Sequence, residues 1–237
     1  MKVRLDNEIV KRSLLVTRSQ AESYIKLGKV EVEGKIINKP GYFVKSDARI
    51  VINQKDKYVN RAALKLESIA KTLQIDFKNK VVLDVGSSTG GFTDFALQNR
   101  VKKVIAVDVG TNQMHPSLLN NPKIELHEKT DIRYFKTEQK IDLVLIDVSF
   151  ISLRDILPSI TKLLSPNSKI VAMLKPQFEA GENAKHKGVI KNDAMRRRIL
   201  NDFESWVKDL FVINNKADSQ ISGAKGNLER FYLLTKH

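Results

Sequence analysis

Cysteine is missing from all 237 residues. Its absence excludes disulfides, thiolate zinc sites, iron–sulfur clusters and any cysteine nucleophile. Long apolar runs are missing as well. The best of them, Ile170–Leu174, is strand-length, where a membrane-spanning helix needs about 18 residues. The opening Met1-Lys2-Val3-Arg4-Leu5-Asp6 carries no apolar signal-peptide core. The expectation is a cytoplasmic protein with no stable membrane association. His115, His127, His186 and His237 do not sit at metal-ligand spacing, so no metal is expected. Negative charge is scarce: 27 Asp and Glu face 41 Lys and Arg, a net charge of +14. Such a surplus points to a polyanionic partner, with nucleic acid first. What is present in quantity is apolar residue, 42% of the chain, enough for one medium domain and a small one.

Two segments with different patterning divide the chain, 1–56 and 57–237. In the first, Leu5, Ile9 and Val10 fall at helical spacing within Arg4–Arg12. Thr17 caps a second helix, Arg18–Leu27, and Gly28 stops it. Alternating strands follow at Val30 to Gly34, at Ile36 to Pro40, and from Val44 to Ile52 with Ser46-Asp47 as punctuation. This predicts a small α+β domain of two helices and one curled sheet. Residues 1–57 hold 13 Lys and Arg against 7 Asp and Glu. Arg4, Arg18, Lys26 and Lys29 are its candidate phosphate contacts, joined by Arg61 from the following helix.

From Tyr58 onward, short apolar strands alternate with helices. Val81–Val85, Val104–Asp108, Ile124–His127, Leu143–Asp147 and Ile170–Leu174 predict a parallel sheet covered by helices on both faces. The first strand runs into Asp84-Val85-Gly86-Ser87-Ser88-Thr89-Gly90-Gly91-Phe92 and a helix over Thr93–Gln98. Glycines there let the backbone turn sharply and approach a ligand. Position 88 is Ser, so the pattern is not G-x-G-x-x-G, and no Gly-Lys-Ser/Thr makes it a P-loop. Asp108 ends the next strand, 22 residues after Gly86, where a carboxylate can accept both hydroxyls of an adenosyl ribose; Val109 follows it. Asp131 and Ile132 come after the third strand, placed to accept an exocyclic amine and to pack on an adenine ring. Together these stations point to S-adenosylmethionine.

Four charged residues fall at the same sheet edge. Asp147 and Lys175 end their strands. Lys65 lies early in the helix Arg61–Leu73, which must run antiparallel to the first strand. Glu229 begins the last strand, Glu229–Thr235, and reaches the edge if that strand is antiparallel. A ribose 2′-hydroxyl is a poor nucleophile and must lose its proton during attack. A lysine accepts that proton if burial and a second ammonium lower its affinity for it. Lys175 with Lys65 as neighbour suits this role, and Asp147 and Glu229 would orient the pair. Methylation at pyrimidine carbon 5 needs the missing cysteine. Exocyclic-amine methylases carry Asp/Asn-Pro-Pro-aromatic where this chain reads Asp147-Val148-Ser149-Phe150.

Residues Arg4-Leu5-Asp6, Thr17 to Ala21, Ile25 to Val32 and Lys45-Ser46-Asp47 resemble the RNA-binding domain of small-subunit ribosomal protein four. Over nearly its whole length the chain resembles the TlyA family of ribosomal RNA methyltransferases, whose catalytic domain is FtsJ-like. The resemblance rests on Tyr58 to Leu66, Asp84 to Asp94, Ala106 to Gly110, Asp147 to Leu153, Lys175 to Glu179, Gly188-Val189 and Gly226 to Glu229. It implies a Rossmann-like, seven-stranded α/β methyltransferase fold and S-adenosylmethionine as cofactor. It also implies a Lys-Asp-Lys-Glu tetrad of Lys65, Asp147, Lys175 and Glu229 for 2′-O methylation of a cytidine. The implied partner is ribosomal RNA or a ribosomal subunit. The chain departs from many members at Ala62-Ala63 and at Asp131, and it is similar in length to a compact subtype acting on the large subunit. A membrane-lytic protein and a non-catalytic ribosome-assembly factor are the alternatives.

Overall fold

The computed structural model describes residues 2–26, 28–52, 57–181, 188–190, 192–223 and 226–237. They form two compact units, Met1–Lys57 and Tyr58–His237.

In the first unit, helices α1 (Leu5–Lys11) and α2 (Arg18–Lys26) pack on each other through Leu5, Ile9, Ala21 and Ile25, all fully buried. The Thr17 hydroxyl accepts from Gln20 N at 3.2 Å, as an N-cap should. Gly28 takes the left-handed conformation just past the helix; Leu27, expected as its last residue, lies outside the described residues. The single curled sheet is not what forms. Strand β1 (Lys2–Arg4) pairs with β4 (Phe43–Lys45), while β2 (Val30–Val32) sits between β3 (Lys35–Ile36) and β5 (Ile50–Ile52) in a separate sheet. The expected strand from Val44 to Ile52 is therefore two strands of different sheets. The reason is Arg12, whose guanidinium donates to the carbonyls of Ala48 at 2.7 Å and Ser46 at 2.8 Å. Those oxygens are thereby taken from any continuous ladder.

The second unit is a seven-stranded sheet. Its strands are β6 (Val81–Val85), β7 (Lys103–Val107), β8 (Ile124–His127), β9 (Ile141–Ile146), β10 (Leu164–Leu174), β11 (Phe211–Asp218) and β12 (Arg230–Lys236). Their order is β11-β12-β10-β9-β6-β7-β8. Strand β12 points the opposite way to the other six: it is antiparallel to both β10 and β11. Helices α3 (Arg61–Ala70), α4 (Gly91–Gln98), α5 (Pro116–Leu119), α6 (Leu153–Ile160), α7 (Pro176–Glu179) and α8 (Asp193–Val207) complete the unit.

The strands read as unbroken apolar runs because both sheet faces are covered. Val82, Val171 and Met173 join one core with Leu66 of α3 and Phe95 of α4. Leu83, Val85, Ile170 and Ala172 join the other with Leu157 of α6 and Phe203 of α8. Strand β11 was not expected from the sequence. Its middle, Asn214-Asn215-Lys216, is exposed, and a register shift separates Ile213 from Asn215. Polar side chains and a bulge suit an edge strand and erase the apolar signal. Among the described residues, no helix is long and apolar enough to cross a membrane.

Candidate active site

The carboxyl ends of β6, β9 and β10 enclose a cavity of about 380 Å³. Asp84, Gly86, Ser87, Ser88, Gly91, Phe92, Asp147, Ser149 and Lys175 line it, with Asn60, Arg61 and Ala62 from the start of α3. The topology explains the gathering. Neighbouring parallel strands end side by side, and a helix that returns antiparallel begins where the next strand ends.

Asp84 shares its sheet face with α4. It is fully buried, and Thr93 donates to its Oδ2 at 2.7 Å. Its Oδ1 has no hydrogen-bond partner, and neither does the buried Ser87 Oγ. Burial pushes the Asp84 carboxyl up to about 7, against the Thr93 hydrogen bond and with some help from the nearby charge of Asp147. An unpaired buried acceptor is costly. A ligand ammonium at this spot would supply both the missing hydrogen bond and the countercharge. The amino-acid end of S-adenosylmethionine carries such a group, so the residues present fit that cofactor.

The turn that follows is shaped by close packing. Gly86 has φ +79, and a Cβ on it would stand 2.6 Å from the Asp147 carbonyl oxygen. Ser88 is also left-handed, with φ +46, and its amide donates to Asp108 Oδ2 at 2.8 Å. Gly90, with φ +88, caps α4. Thr89 is tied to Asn60, whose Nδ2 donates to the Thr89 hydroxyl while its Oδ1 accepts from Ala62 N. Asn60 thus caps α3 and braces the turn at once. It lines the cavity, yet it was not singled out from the sequence; an Asn directly before a helix is the signal that was available.

The four charged residues form two ion pairs. Lys175 Nζ stands 2.5 Å from Asp147 Oδ1 and donates to Ser149 Oγ at 2.7 Å. Lys65 Nζ lies 2.8 Å from Glu229 Oε1 and 2.7 Å from Oε2. Glu229 is held tightly: its side chain is 3% exposed and its carbonyl accepts from Ser219 N at 2.9 Å. Asp147 and Lys175 face the cavity, whereas Lys65 and Glu229 are outside its lining.

Other expected residues are placed differently. Asp108 is outside the lining, at the end of β7, and its carboxylate accepts from the amides of Ser88 and Gly110, the latter at 2.7 Å. Val109 is 72% exposed. Asp131 is bound in a bidentate pair with Arg133, Nη2 to Oδ2 at 2.6 Å and Nε to Oδ1 at 3.1 Å, which holds its carboxyl below the usual range. Ile132 is buried in the core under the sheet. In the first unit, Arg4 and Arg18 both reach the fully buried Asp6, at 2.8 and 3.0 Å. The Arg4 hydrogen bond leads in holding the Asp6 carboxyl down at about 2. These two arginines are structural tethers as well as surface charges. Lys26 is exposed, and Lys29 Nζ lies 5.2 Å from the Tyr24 ring centroid. Arg61 donates to the Ser222 carbonyl at 3.2 Å.

Comparison with known proteins bears on both units. The FtsJ-like methyltransferase family profile matches residues 58–236, and the S4 domain profile matches residues 3–50. The 23S rRNA (cytidine-2′-O)-methyltransferase TlyA of Campylobacter jejuni is 46% identical over 183 residues, 76% of this chain and 72% of that protein. The 16S/23S rRNA (cytidine-2′-O)-methyltransferase TlyA of Mycobacterium tuberculosis is 34% identical, over 98% of this chain and 90% of its own. A solved structure from Streptococcus thermophilus, named a hemolysin, superposes with a TM-score of 0.78 at 35% identity. It covers 99% of this chain and 88% of its own.

Proposed function

The chain belongs to the FtsJ-like methyltransferase family, in its TlyA branch, and on that footing we propose that it methylates the ribose 2′-hydroxyl of a cytidine in ribosomal RNA, with S-adenosylmethionine as methyl donor. The observation that carries this reading is the Lys175–Asp147 pair, 2.5 Å apart, on the wall of the cavity that holds the orphaned oxygens of Asp84 and Ser87.

S-adenosylmethionine, when bound, supplies a methyl carbon on a cationic sulfur, open to displacement by an oxygen nucleophile. Asp84 and Ser87 bind its amino-acid end, the turn from Gly86 through Phe92 surrounds it, and Asp108 takes the ribose hydroxyls on its remaining lone pairs. Val109 and Asp131 would flank the adenine end, while Ile132 belongs to the core. The free-amine form of Lys175 accepts the proton of the attacking 2′-hydroxyl. The ammonium so formed meets partners already in place, the Asp147 carboxylate and the Ser149 hydroxyl. The Lys65–Glu229 pair completes the charge balance from the α3 side. A positioned proton acceptor contributes about 10²–10⁴-fold to such a step.

The S4-type unit, residues 1–56, anchors the RNA, while residues 57–237 carry the chemistry. Arg4, Arg18, Lys26 and Lys29, with Arg61, contact phosphates. The large-subunit RNA is the first substrate to test, and a ribosomal substrate goes with a cytoplasmic enzyme. Ribosomal RNA treated with isotope-labelled methyl donor, digested and analysed as nucleosides, yields 2′-O-methylcytidine on this reading. A methylated base beside an unmodified ribose would overturn it.

A further inference from the structure

The β9–β10 ladder ends before it reaches the reacting groups. Its last pair is Ile146 with Ala172. Asp147 lies one residue beyond that pair and Lys175 three. Their separation therefore depends on what holds the segments 147–152 and 175–179, each leading into a helix.

Segment 147–152 is strained. Phe150 has φ +64 and is 92% exposed. A bulky residue in the left-handed region is strained and persists only where its surroundings over-determine it. On one side the turn is held by the Asp147 amide, which donates to the Val85 carbonyl at 3.0 Å. On the other it is held by Glu179. The Glu179 side chain is 2% exposed. It accepts from the Ser152 hydroxyl at 2.6 Å and from Leu153 N at 2.7 Å, and Arg154 Nε lies 3.8 Å away. Ser152 in turn caps α6 by accepting from Arg154 N at 3.0 Å. The rings of Phe150 and Phe178 meet at 5.2 Å between the same segments. Glu179 thus sits four residues after Lys175 and reaches across to the far end of the Asp147 segment.

We propose that Glu179 is a positioning residue for methyl transfer, clamping the Asp147 segment to the Lys175 segment through Ser152 and Leu153 so that the Lys175–Asp147 pair keeps its geometry. The clamp is anionic and bidentate, and both of its acceptor oxygens are used. It is outside the cavity lining, and its side chain is buried. It therefore acts on the step in which Lys175 takes a proton, leaving the binding of either substrate as it is.

The proposal rests on the 2′-O-methyltransferase reading, and two measurements on the full chain separate the two. In the first, Glu179→Gln keeps the shape but puts an amide where two acceptors were needed. Its kcat falls about 100-fold, the scale of a small misplacement of reacting groups. KM for RNA and for S-adenosylmethionine stays within roughly threefold, because uniform binding is untouched. Ser152→Ala lowers kcat in the same direction, and the double variant is no slower than Glu179→Gln alone, the non-additivity of a shared contact. Glu179→Asp recovers part of the rate. In the second, Lys175 in RNA-free protein is acylated by a small amine-reactive anhydride, which releases its carboxylate, and followed by peptide mass spectrometry. Loosening its pair with Asp147 raises the rate in Glu179→Gln and in Ser152→Ala. A purely structural cap for α6 predicts a lower Tm with kcat and Lys175 reactivity unchanged, and that result overturns the proposal. So does a loss confined to KM. If wild-type protein transfers no methyl group to RNA, the functional reading fails, and the acylation rates still decide the clamp. If Glu179→Gln does not fold, Ser152→Ala decides it.

Discussion

Gly86 and Asp147 meet backbone to backbone: the position a Cβ would take on Gly86 is 2.6 Å from the Asp147 carbonyl oxygen. The turn after β6 is pressed against the end of β9, so the turn proposed to hold the cofactor and the carboxylate proposed for catalysis share one contact. Gly86→Ala should move both. The left-handed φ of +79 alone costs a non-glycine residue roughly 1–2 kcal/mol, and the clash adds to it. The expected outcome is a lower urea midpoint together with weaker S-adenosylmethionine binding by calorimetry. An unchanged affinity would show that the turn does not hold the methyl donor.

The two ion pairs should fail differently. Lys175→Ala should cut the single-turnover rate by about 10²–10⁴-fold, with S-adenosylmethionine affinity nearly unchanged. Lys65→Ala leaves Glu229, whose side chain is 3% exposed, without its cation. Breaking a buried pair on one side costs about 3–5 kcal/mol, so this variant should lose stability along with activity. Lys65→Met combined with Glu229→Gln should regain much of the stability and none of the activity. Recovery of both would remove the pair from the reaction.

Asp84 gives the protein a pH signature. Its folded-state value of about 7 lies above the ordinary 3.8. The folded state therefore holds this proton more tightly than the unfolded chain does. The Asp84 contribution to stability is present in full below about pH 4, declines as pH rises, and is lost above about 7. Asp84→Asn cannot carry the charge and still accepts from Thr93. Its Tm should equal that of the wild type below about pH 4 and exceed it at pH 8 in the absence of cofactor, while S-adenosylmethionine binding is lost. A Tm difference that does not change with pH would refute the buried-charge account.

The first unit permits a division between tether and phosphate contact. Lys26 is exposed, so Lys26→Gln should lower the slope of log affinity against log salt for ribosomal RNA by about one and leave Tm alone. Arg4→Ala removes the leading partner of the buried Asp6 and should lower Tm as well. Asp6 has a depressed folded-state value, so its stabilisation is present above about pH 4 and lost as pH falls toward 2. A Lys26→Gln variant with an unchanged salt slope would take that lysine out of the interface.

The sequence by itself determined the parts that depend on local pattern. Apolar runs bounded by turns marked β6 through β10, because burial on both faces demands an unbroken apolar strand. Chain direction then put Lys65, Asp147, Lys175 and Glu229 at one edge, since a returning helix starts where a parallel strand ends. What it left unread depends on contacts distant in the chain. Strand β11 is hidden by exposed Asn214, Asn215 and Lys216, because an edge strand has no second face to bury. The break between β4 and β5 is set by Arg12, more than 30 residues away. Tertiary structure alone decided the pairing within the tetrad, Lys175 with Asp147 and Lys65 with Glu229, because pattern places residues at an edge without assigning their partners. It alone committed Asp131 to Arg133 and brought Glu179 onto Ser152, 27 residues earlier. Hydrogen bonds and ion pairs form between whichever groups folding brings within about 3 Å, and no periodicity in the chain encodes that distance.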